Sequence, residues 1–220
     1  MKAMNQAAAA RLGRLFAAGL SLWALCGCST LRPSATPPPA FYSLDSARGT
    51  APVMATAAAT AAPTLIINPP HAAAGFDSQR IIYVRERHKL EYFAHSEWVD
   101  PPARMLGPLL VAAIETTGAF RAVVLTPGAA AGELRLDTEI IRLQHEFQTS
   151  PSRVRFTLRA YLVDDKTRRV LAWREFDSEV AATSEDPYGG VVAANRAVQT
   201  VLKDLSAFCA ETARSARIEQ

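Results

Sequence analysis

Histidines are the residue type in this chain that could bind a metal ion or transfer protons. The four histidines are His71, His88, His95 and His145. No spacing among them places two ligands on one helical turn, and a metal site needs three or four converging ligands. The sequence therefore predicts no metal centre, and we expect these histidines to be solvated surface residues.

Two pairs of adjacent carboxylates could also do acid–base chemistry, and both lie at predicted turns. They are Asp164 with Asp165, and Glu185 with Asp186. Turns favour Asp because its side chain bonds the local backbone, which explains the pairs without catalysis. The sequence has no phosphate-binding glycine loop, nucleophile elbow, Cys-x-x-Cys pair or His-Glu-x-x-His helix. It therefore predicts no enzyme and no cofactor.

A row of arginines follows the polar face of a predicted strand and consists of Arg153, Arg155 and Arg159. Such a row could contact an anionic head group or a protein partner. It could equally be the solvated face of a strand whose other face is buried. The sequence leaves both interpretations open.

The first 27 residues have the layout of a secretory signal. Residues 1–14 carry Lys2, Arg11 and Arg14 and no acid, and residues 15–25 are uncharged and mostly apolar. This apolar run is too short to cross a bilayer as a helix, which takes about 20 residues. The pattern indicates a segment that is removed from the mature protein.

The end of the apolar run, Leu25-Cys26-Gly27-Cys28, resembles the lipobox of bacterial lipoproteins, whose cysteine becomes the acylated first residue of the mature chain. Cys28 fits this role, whereas Cys26 would place the bulky Leu25 at the cleaved bond. Two or more acyl chains hold a protein firmly at a bilayer. Ser29 follows where lipoproteins retained in the inner membrane carry Asp, so the resemblance implies the outer membrane, facing the periplasm. An ordinary signal peptide with an incidental cysteine is the alternative.

Removal of the signal changes the charge and the cysteine count. The whole chain has 24 Lys+Arg and 21 Asp+Glu, and three of the cations lie in the signal, so the mature chain carries 21 of each sign. A net charge near zero gives no electrostatic footprint for nucleic acid. With Cys28 acylated, Cys209 has no intrachain partner, so the fold must be held by its core. Cys209 lies on a predicted buried helix stripe, as is typical of a small core residue.

The mature chain divides into a tether and one domain. Residues 29–39 are Pro-rich and favour an extended backbone, and residues 46–63 are rich in Ala, Thr and Pro without a periodic pattern. A short strand is expected near residues 41–44 between them. The segment 28–63 thus leads to a domain over residues 64–214, which is long enough for a core of its own.

The first half of the domain predicts several strands and one helix. Strands are expected over residues 64–68, 80–85, 90–94 and 120–125. Apolar residues between Asp100 and Gly118 recur at helical spacing, with Pro108 requiring a start near Met105 or a kink. Trp98 is expected to pack on the core, Asp100 to cap this helix, and Pro101 or Pro102 to occupy its first turn.

The second half predicts an antiparallel meander and a long helix. Alternating apolar and polar residues favour strands over residues 133–140 and 153–163. A hairpin turn at 164–167 then predicts a return strand over residues 169–180. The final helix has an apolar stripe with one polar interruption, formed by Tyr188, Val191, Val192, Asn195, Val198, Val201, Leu202, Leu205 and Phe208. The order predicts an α+β single domain, a mainly antiparallel sheet with two helices packed on one face.

These segments together resemble the ABC-type transport auxiliary lipoproteins, a family that includes the paraquat-inducible protein C type. The resemblance rests on five runs after the lipobox: Phe41-Tyr42-Ser43-Leu44, residues 77–83, residues 90–93, Glu97-Trp98-Val99-Asp100-Pro101-Pro102, and the Leu-rich helix that follows. It covers about residues 41–210.

The resemblance implies a non-catalytic component of an intermembrane transport system for lipid or another hydrophobic solute. It implies as partners a mammalian-cell-entry (MCE) domain protein and an inner-membrane ABC permease and ATPase. Phospholipid and a second copy of the chain in a homo-oligomer are further candidate partners, which the sequence leaves open. Cys28 is the one residue to which it gives a chemical role. The alternative from another class is an envelope scaffold or outer-membrane assembly lipoprotein that binds only protein. A periplasmic hydrolase has no nucleophile constellation in the sequence to support it.

Overall fold

The computed structural model describes residues 38–45, 62–128 and 131–218. The predicted signal, Cys28 and most of the two Pro- and Ala-rich segments lie outside these ranges. Within them the chain forms nine strands and two helices. These are β1 Ala40–Tyr42, β2 Thr64–Ile67, β3 His71–Ala72, β4 Arg80–Val84, β5 Glu91–Trp98, α1 Pro102–Glu115, β6 Ala122–Leu125, β7 Leu134–Glu146, β8 Arg153–Asp164, β9 Val170–Ala181 and α2 Pro187–Ile218.

The sheet is organised around β7. On one side β7 pairs antiparallel with β8, and β8 pairs antiparallel with β9. On its other side β7 meets three short strands in turn, β2, β3 and β4, and all three run parallel to it. β5 and then β1 continue the sheet from β4, and β6 continues it from β2. The fold is therefore α+β with a largely antiparallel sheet, as predicted.

Both helices pack on one face of this sheet. Alternation along the long strands directs Leu136, Ile140, Phe156, Leu158 and Leu162 to that face, where they are fully buried in one cluster with residues of both helices. Burial of each such side chain contributes about 1.5–3 kcal/mol. The opposite face of the meander carries the polar residues of the same strands and is open.

The predicted antiparallel meander of β7, β8 and β9 is confirmed, and β7 and β8 show the predicted period of two, but β7 continues six residues beyond Ile140. The register shifts between Ile140 and Arg142, which indicates a bulge. A bulge inserts one residue and interrupts the alternation. The strand therefore resumes with Leu143 and His145 facing the core, out of phase with the pattern that identified its first half.

Helix α1 begins at Pro102, with Pro101 as its N-cap and Pro108 inside it. The predicted cap at Asp100 is wrong, because Asp100 lies one residue before the N-cap and instead pairs with Arg104 at 3.1 Å. The later start near Met105 is also excluded. Trp98 is buried, as expected.

Helix α2 covers the meander with the predicted stripe, except at its first member. Tyr188 is exposed and contacts the ring of Tyr42 at the edge of the sheet. The polar interruption, Asn195, binds the segment after β1: its Nδ2 donates to the carbonyl of Ser43 at 3.2 Å, and its Oδ1 accepts the amide of Asp45 at 2.7 Å. This contact attaches the beginning of the domain to α2.

The remaining cysteine prediction is also confirmed. Cys209 is fully buried on α2, and burial raises the pKa of its thiol to about 12. No helix among the described residues is both long and apolar enough to cross a membrane.

Candidate functional site

The arginine row lies on the open face of the sheet, and each guanidinium contacts a carboxylate of β9. Arg153 Nη1 lies 2.9 Å from Glu179, Arg159 Nη2 lies 3.0 Å from Glu175, and Arg155 binds both oxygens of Asp177 through Nε and Nη2. In the antiparallel register of β8 and β9, Arg159 lies directly opposite its partner Glu175, whereas Arg153 and Arg155 each bind the acid diagonally across from them, two residues away from the directly opposite position. We call this surface the arginine–carboxylate ladder.

The ladder is charged but largely self-neutralised. The hydrogen bond from Arg155, and a second one from the Thr157 hydroxyl, hold the pKa of Asp177 below its usual range. Because the pairs are partly exposed and water screens them, they contribute little to stability. The ladder therefore presents both signs of charge in a fixed pattern. Contact of the arginines with an anionic head group or a partner stays a prediction.

An exposed aromatic pair adjoins the ladder. Trp173 of β9 is 61% exposed and stacks on Tyr161 of β8, with ring centroids 6.3 Å apart and planes 28° apart. The sequence analysis missed this pair, although Trp173 alternates in phase with Glu175 and Asp177 and could have been assigned to the open face. A large exposed aromatic beside fixed charges is the composition of a protein-binding surface.

A second constellation is buried where β7 ends and α2 begins. His145 Nε2 lies 2.7 Å from Ser152 Oγ, and the amide of Ser152 donates to Glu185 Oε1 at 2.8 Å. His145 is only 2% exposed, and its ring centroid lies 4.1 Å from the ring centroid of Phe147. The expectation of a solvated histidine is thus wrong for His145, because the β7 bulge turns it to the core.

The other three histidines, His71, His88 and His95, are exposed as expected. No group of three or more potential ligands from His, Cys, Asp and Glu converges in the described ranges.

Burial controls the protonation of His145. It lowers the pKa of the imidazole, against the opposing effect of the Glu185 and Asp186 carboxylates. The pKa of both carboxyls is itself lowered, Glu185 by the amide of Ser152 and Asp186 by the amide of Gly189. Asp186 Oδ1 accepts that amide at 2.7 Å and so caps the first turn of α2. Local backbone bonding, predicted for the acidic pairs from their turns, is confirmed for Asp186 and for Asp164. Glu185 instead binds the amide of Ser152, 33 residues away along the chain, and Asp165 pairs with Arg135 and Arg168.

The arrangement of Ser152 and His145 does not form an accessible nucleophile. A serine is activated when a neighbouring base removes its proton and the base is oriented by a third group. Here Ser152 is fully buried, and Glu185 contacts its backbone amide and not the imidazole. The constellation instead attaches the loop between β7 and β8 to the start of α2.

Comparison with known proteins identifies the family. The family model of the ABC-type transport auxiliary lipoprotein component matches residues 42–206. The chain belongs to this family. No curated protein matches the chain.

Solved structures show the same fold as this auxiliary lipoprotein. The crystal structure of protein XCC0632 from Xanthomonas campestris aligns with a TM-score of 0.70 at 22% identity, covering 80% of this chain and 98% of that one. A crystal structure of an uncharacterized protein aligns with a TM-score of 0.58 at 13% identity, covering 79% and 97%. At these identities the likeness concerns the fold alone.

Substitution of Gly190 in the auxiliary lipoprotein tests the packing around the buried His145. A Cβ at this position would lie 2.5 Å from His145 Nδ1, and the ring is held by Ser152. Gly190→Ala is expected to lower the free energy of unfolding by about 1–3 kcal/mol, the usual cost of overpacking. Helix propensity alone would instead raise it by about 1 kcal/mol.

Urea unfolding of Gly190→Ala measures the effect. Gly128→Ala is the control, since a Cβ there meets no atom closer than 3.7 Å. A Gly190→Ala protein as stable as the wild type would contradict the described packing.

The lowered pKa of His145 predicts a pH dependence of stability. Because the folded state disfavours the proton, the unfolded chain binds it more readily, and stability falls as the pH drops below the unfolded value of about 6.5 towards the folded pKa. Between about pH 7.5 and pH 5.5 most carboxylates remain ionised in both the folded and the unfolded state. The change in the free energy of unfolding over this pH range therefore comes mainly from histidine. His145→Gln is expected to flatten the pH dependence measured by urea unfolding. His95→Gln, at an exposed site, should retain the wild-type slope, and an equal flattening by both changes would refute the assignment.

Proposed function

We propose that this chain is an outer-membrane-anchored, periplasm-facing and non-catalytic auxiliary lipoprotein of an ABC/MCE-type intermembrane transport system for lipid or another hydrophobic solute. The family match over residues 42–206 carries the proposal, since it gives the auxiliary role in ABC transport. The lipobox-like run ending at Cys28 supports the anchor, and Ser29 after it supports the outer membrane.

The anchor and the tether define what the domain does mechanically. Acyl chains on Cys28 would hold the chain at the bilayer, because each buried methylene contributes about 0.8 kcal/mol and several chains act together. Residues 29–39 would then keep the domain within a short distance of that membrane. Such a domain acts by being in place to bind a partner that crosses the periplasm.

The open sheet face supplies the surface that we assign to the MCE partner. Trp173 and Tyr161 provide apolar area that is already ordered by stacking, and the arginine–carboxylate ladder beside them provides a fixed charge pattern. Large aromatics near the centre of an interface carry much of its binding energy, while charges around them select the partner. In this proposal Arg153, Arg155 and Arg159 contact the acidic groups of that partner.

Absence of catalysis is supported by the burial of the serine and histidine that lie within hydrogen-bonding distance. Ser152 Oγ cannot reach a substrate while Ser152 is fully buried. The domain therefore contributes binding and position to the system, and the ABC component supplies the energy for transport.

Cys28→Ala tests the anchor. The variant is expected to fold, because Cys28 lies outside the family-matched region, and to lose membrane attachment. Fractionation of cell envelopes, with detection of the protein in the outer-membrane and soluble fractions, measures this. Cys26→Ala is the matched control and should remain attached, since Cys26 leaves with the signal. Cys28→Ala protein that still sediments with outer membranes would contradict the anchor.

Site-specific photocrosslinking tests the partner surface. A photoreactive amino acid at Trp173 is expected to crosslink to an MCE-domain protein in cells, whereas the same group at Lys203, on the exposed side of α2, is not. Equal crosslinking from both positions would contradict the assignment of the open face. Crosslinks from Trp173 only to porins or peptidoglycan-associated proteins would favour the envelope scaffold.

A further inference from the structure

The turn between β4 and β5 is an exposed basic hairpin. Its residues 85–90 are Arg85-Glu86-Arg87-His88-Lys89-Leu90, and all six are exposed. We call this segment the β4–β5 tip. The proposal about it rests on the lipid anchor of the proposed function.

Glu86 in the tip and Glu91 directly after it form ion pairs, whereas the two arginines of the tip do not. Lys89 Nζ lies 3.7 Å from Glu86 Oε1 and 3.6 Å from Glu91 Oε1, so one cation compensates both acids in part. No described carboxylate lies within ion-pair distance of Arg85 or Arg87. Arg85 instead lies over the rings of Tyr83 and Phe147, at 4.9 and 5.7 Å from their centroids. The tip therefore presents two guanidinium groups that are free to bind phosphate.

Apolar and aromatic side chains are exposed in the tip and directly after it. Leu90 is 47% exposed, and Tyr92 is 52% exposed with the Arg80 guanidinium 4.0 Å from its ring centroid. Tyrosine rings and arginine side chains have an apolar body and a polar end, and they are the residues that settle at the interface between lipid and water. Charge and apolar exposure thus coincide at one end of the sheet.

The tip and the turn at residues 164–169 lie at opposite ends of the sheet. In the register, Val84, just before the tip, is opposite Glu146 of β7, whereas Asp164 is opposite Leu134 at the other end of that strand. The long strands are about 40 Å long. From Cys28 to Pro39 a chain can span at most about 40 Å even when fully extended. A lipid surface in contact with the tip is therefore about one sheet length away from the turn at residues 164–169.

Three more acids lie at this end of the sheet, and each accepts a hydrogen bond within the domain. Glu146, opposite Val84 in the register, accepts the Gln144 side-chain amide at 2.7 Å. Glu185 accepts the backbone amide of Ser152, and Asp186 accepts the amide of Gly189 and the hydroxyl of Ser184. None of the three lies within ion-pair distance of the two arginines of the tip.

We propose that the β4–β5 tip contacts the phosphate groups of the lipid surface in which Cys28 is anchored. A basic residue near an anionic surface contributes about 1 kcal/mol, so two arginines bind weakly by themselves. The anchor makes the contact intramolecular, with an effective concentration on the order of millimolar, and weak attraction is then sufficient to orient the domain. This orientation directs the turn at residues 164–169 away from the membrane.

A lipid-quenching experiment on the full acylated chain tests the orientation. The mature wild-type chain offers no reactive thiol, since Cys28 is acylated in the proposed function and Cys209 is buried. A fluorescent label is attached to Glu86→Cys at the tip, or to Lys166→Cys in the far turn as the matched control. The labelled proteins are placed in vesicles of phosphatidylethanolamine and phosphatidylglycerol containing a nitroxide lipid.

The label at Glu86→Cys is expected to be quenched at least about threefold more than the label at Lys166→Cys. Replacing Arg85 and Arg87 by Gln in the Glu86→Cys protein should reduce its quenching towards the control, as should pure phosphatidylcholine vesicles. Equal quenching at both positions, or quenching that the two replacements leave unchanged, would overturn the proposal.

Vesicle flotation separates this inference from the anchor itself. Protein that floats with the vesicles but shows no quenching at Glu86→Cys would overturn the lipid contact alone, and would favour a protein partner for the tip. Protein that fails to float would overturn the anchor and the tip contact together.

Discussion

The packing of α2 across β7, β8 and β9 is the constraint on which the other features depend. Leu205 and Phe156 are fully buried in this contact, and the rings of Phe208 and Phe176 meet edge to face at 5.8 Å. Because one face of the meander is buried under the helix, its alternating polar residues are forced to the other face. The same helix binds the segment after β1 through Asn195 and the loop after β7 through the capped turn before Pro187. The open face and the attachment of residues 43–45 are thus set by one helix.

The sequence predicted this contact well where periodicity was unbroken. The alternation in β8 and the helical spacing from Val191 to Phe208 each depend on burial of one face, so the pattern of apolar residues records them directly. The prediction failed where local backbone geometry changes which residues of a strand face the core. The bulge after Ile140 hid the second half of β7 and made His145 look like a surface residue.

Features that depend on pairing between strands were harder to predict than the strands. The arginine row was visible in the sequence, but its pairing with Glu175, Asp177 and Glu179 requires the register of β8 against β9. Trp173 stacks on Tyr161 for the same reason. At α1, Asp100 is a favourable cap by type but lies one residue too early, since Pro101 takes the N-cap position. Residue type and spacing thus identify elements, while register and phase decide which side chains meet.

A division of roles follows from this architecture. The buried core fixes the shape of the domain. The open face presents stacked aromatics and paired charges, and the β4–β5 tip presents unpaired arginines at one end of the sheet. The serine and histidine that could suggest catalysis are used inside the core. What remains accessible is suited to binding, which agrees with an auxiliary component of a transporter.

The central claim is that this chain supports transport by binding and not by chemistry at Ser152. Transport by the ABC system in a strain that carries Ser152→Ala in place of the native protein tests it most directly, with the amount of folded protein matched to the wild type. The account predicts transport at the wild-type level, because the hydroxyl of Ser152 is buried and meets no substrate. Loss of transport with normal amounts of folded Ser152→Ala protein would contradict it.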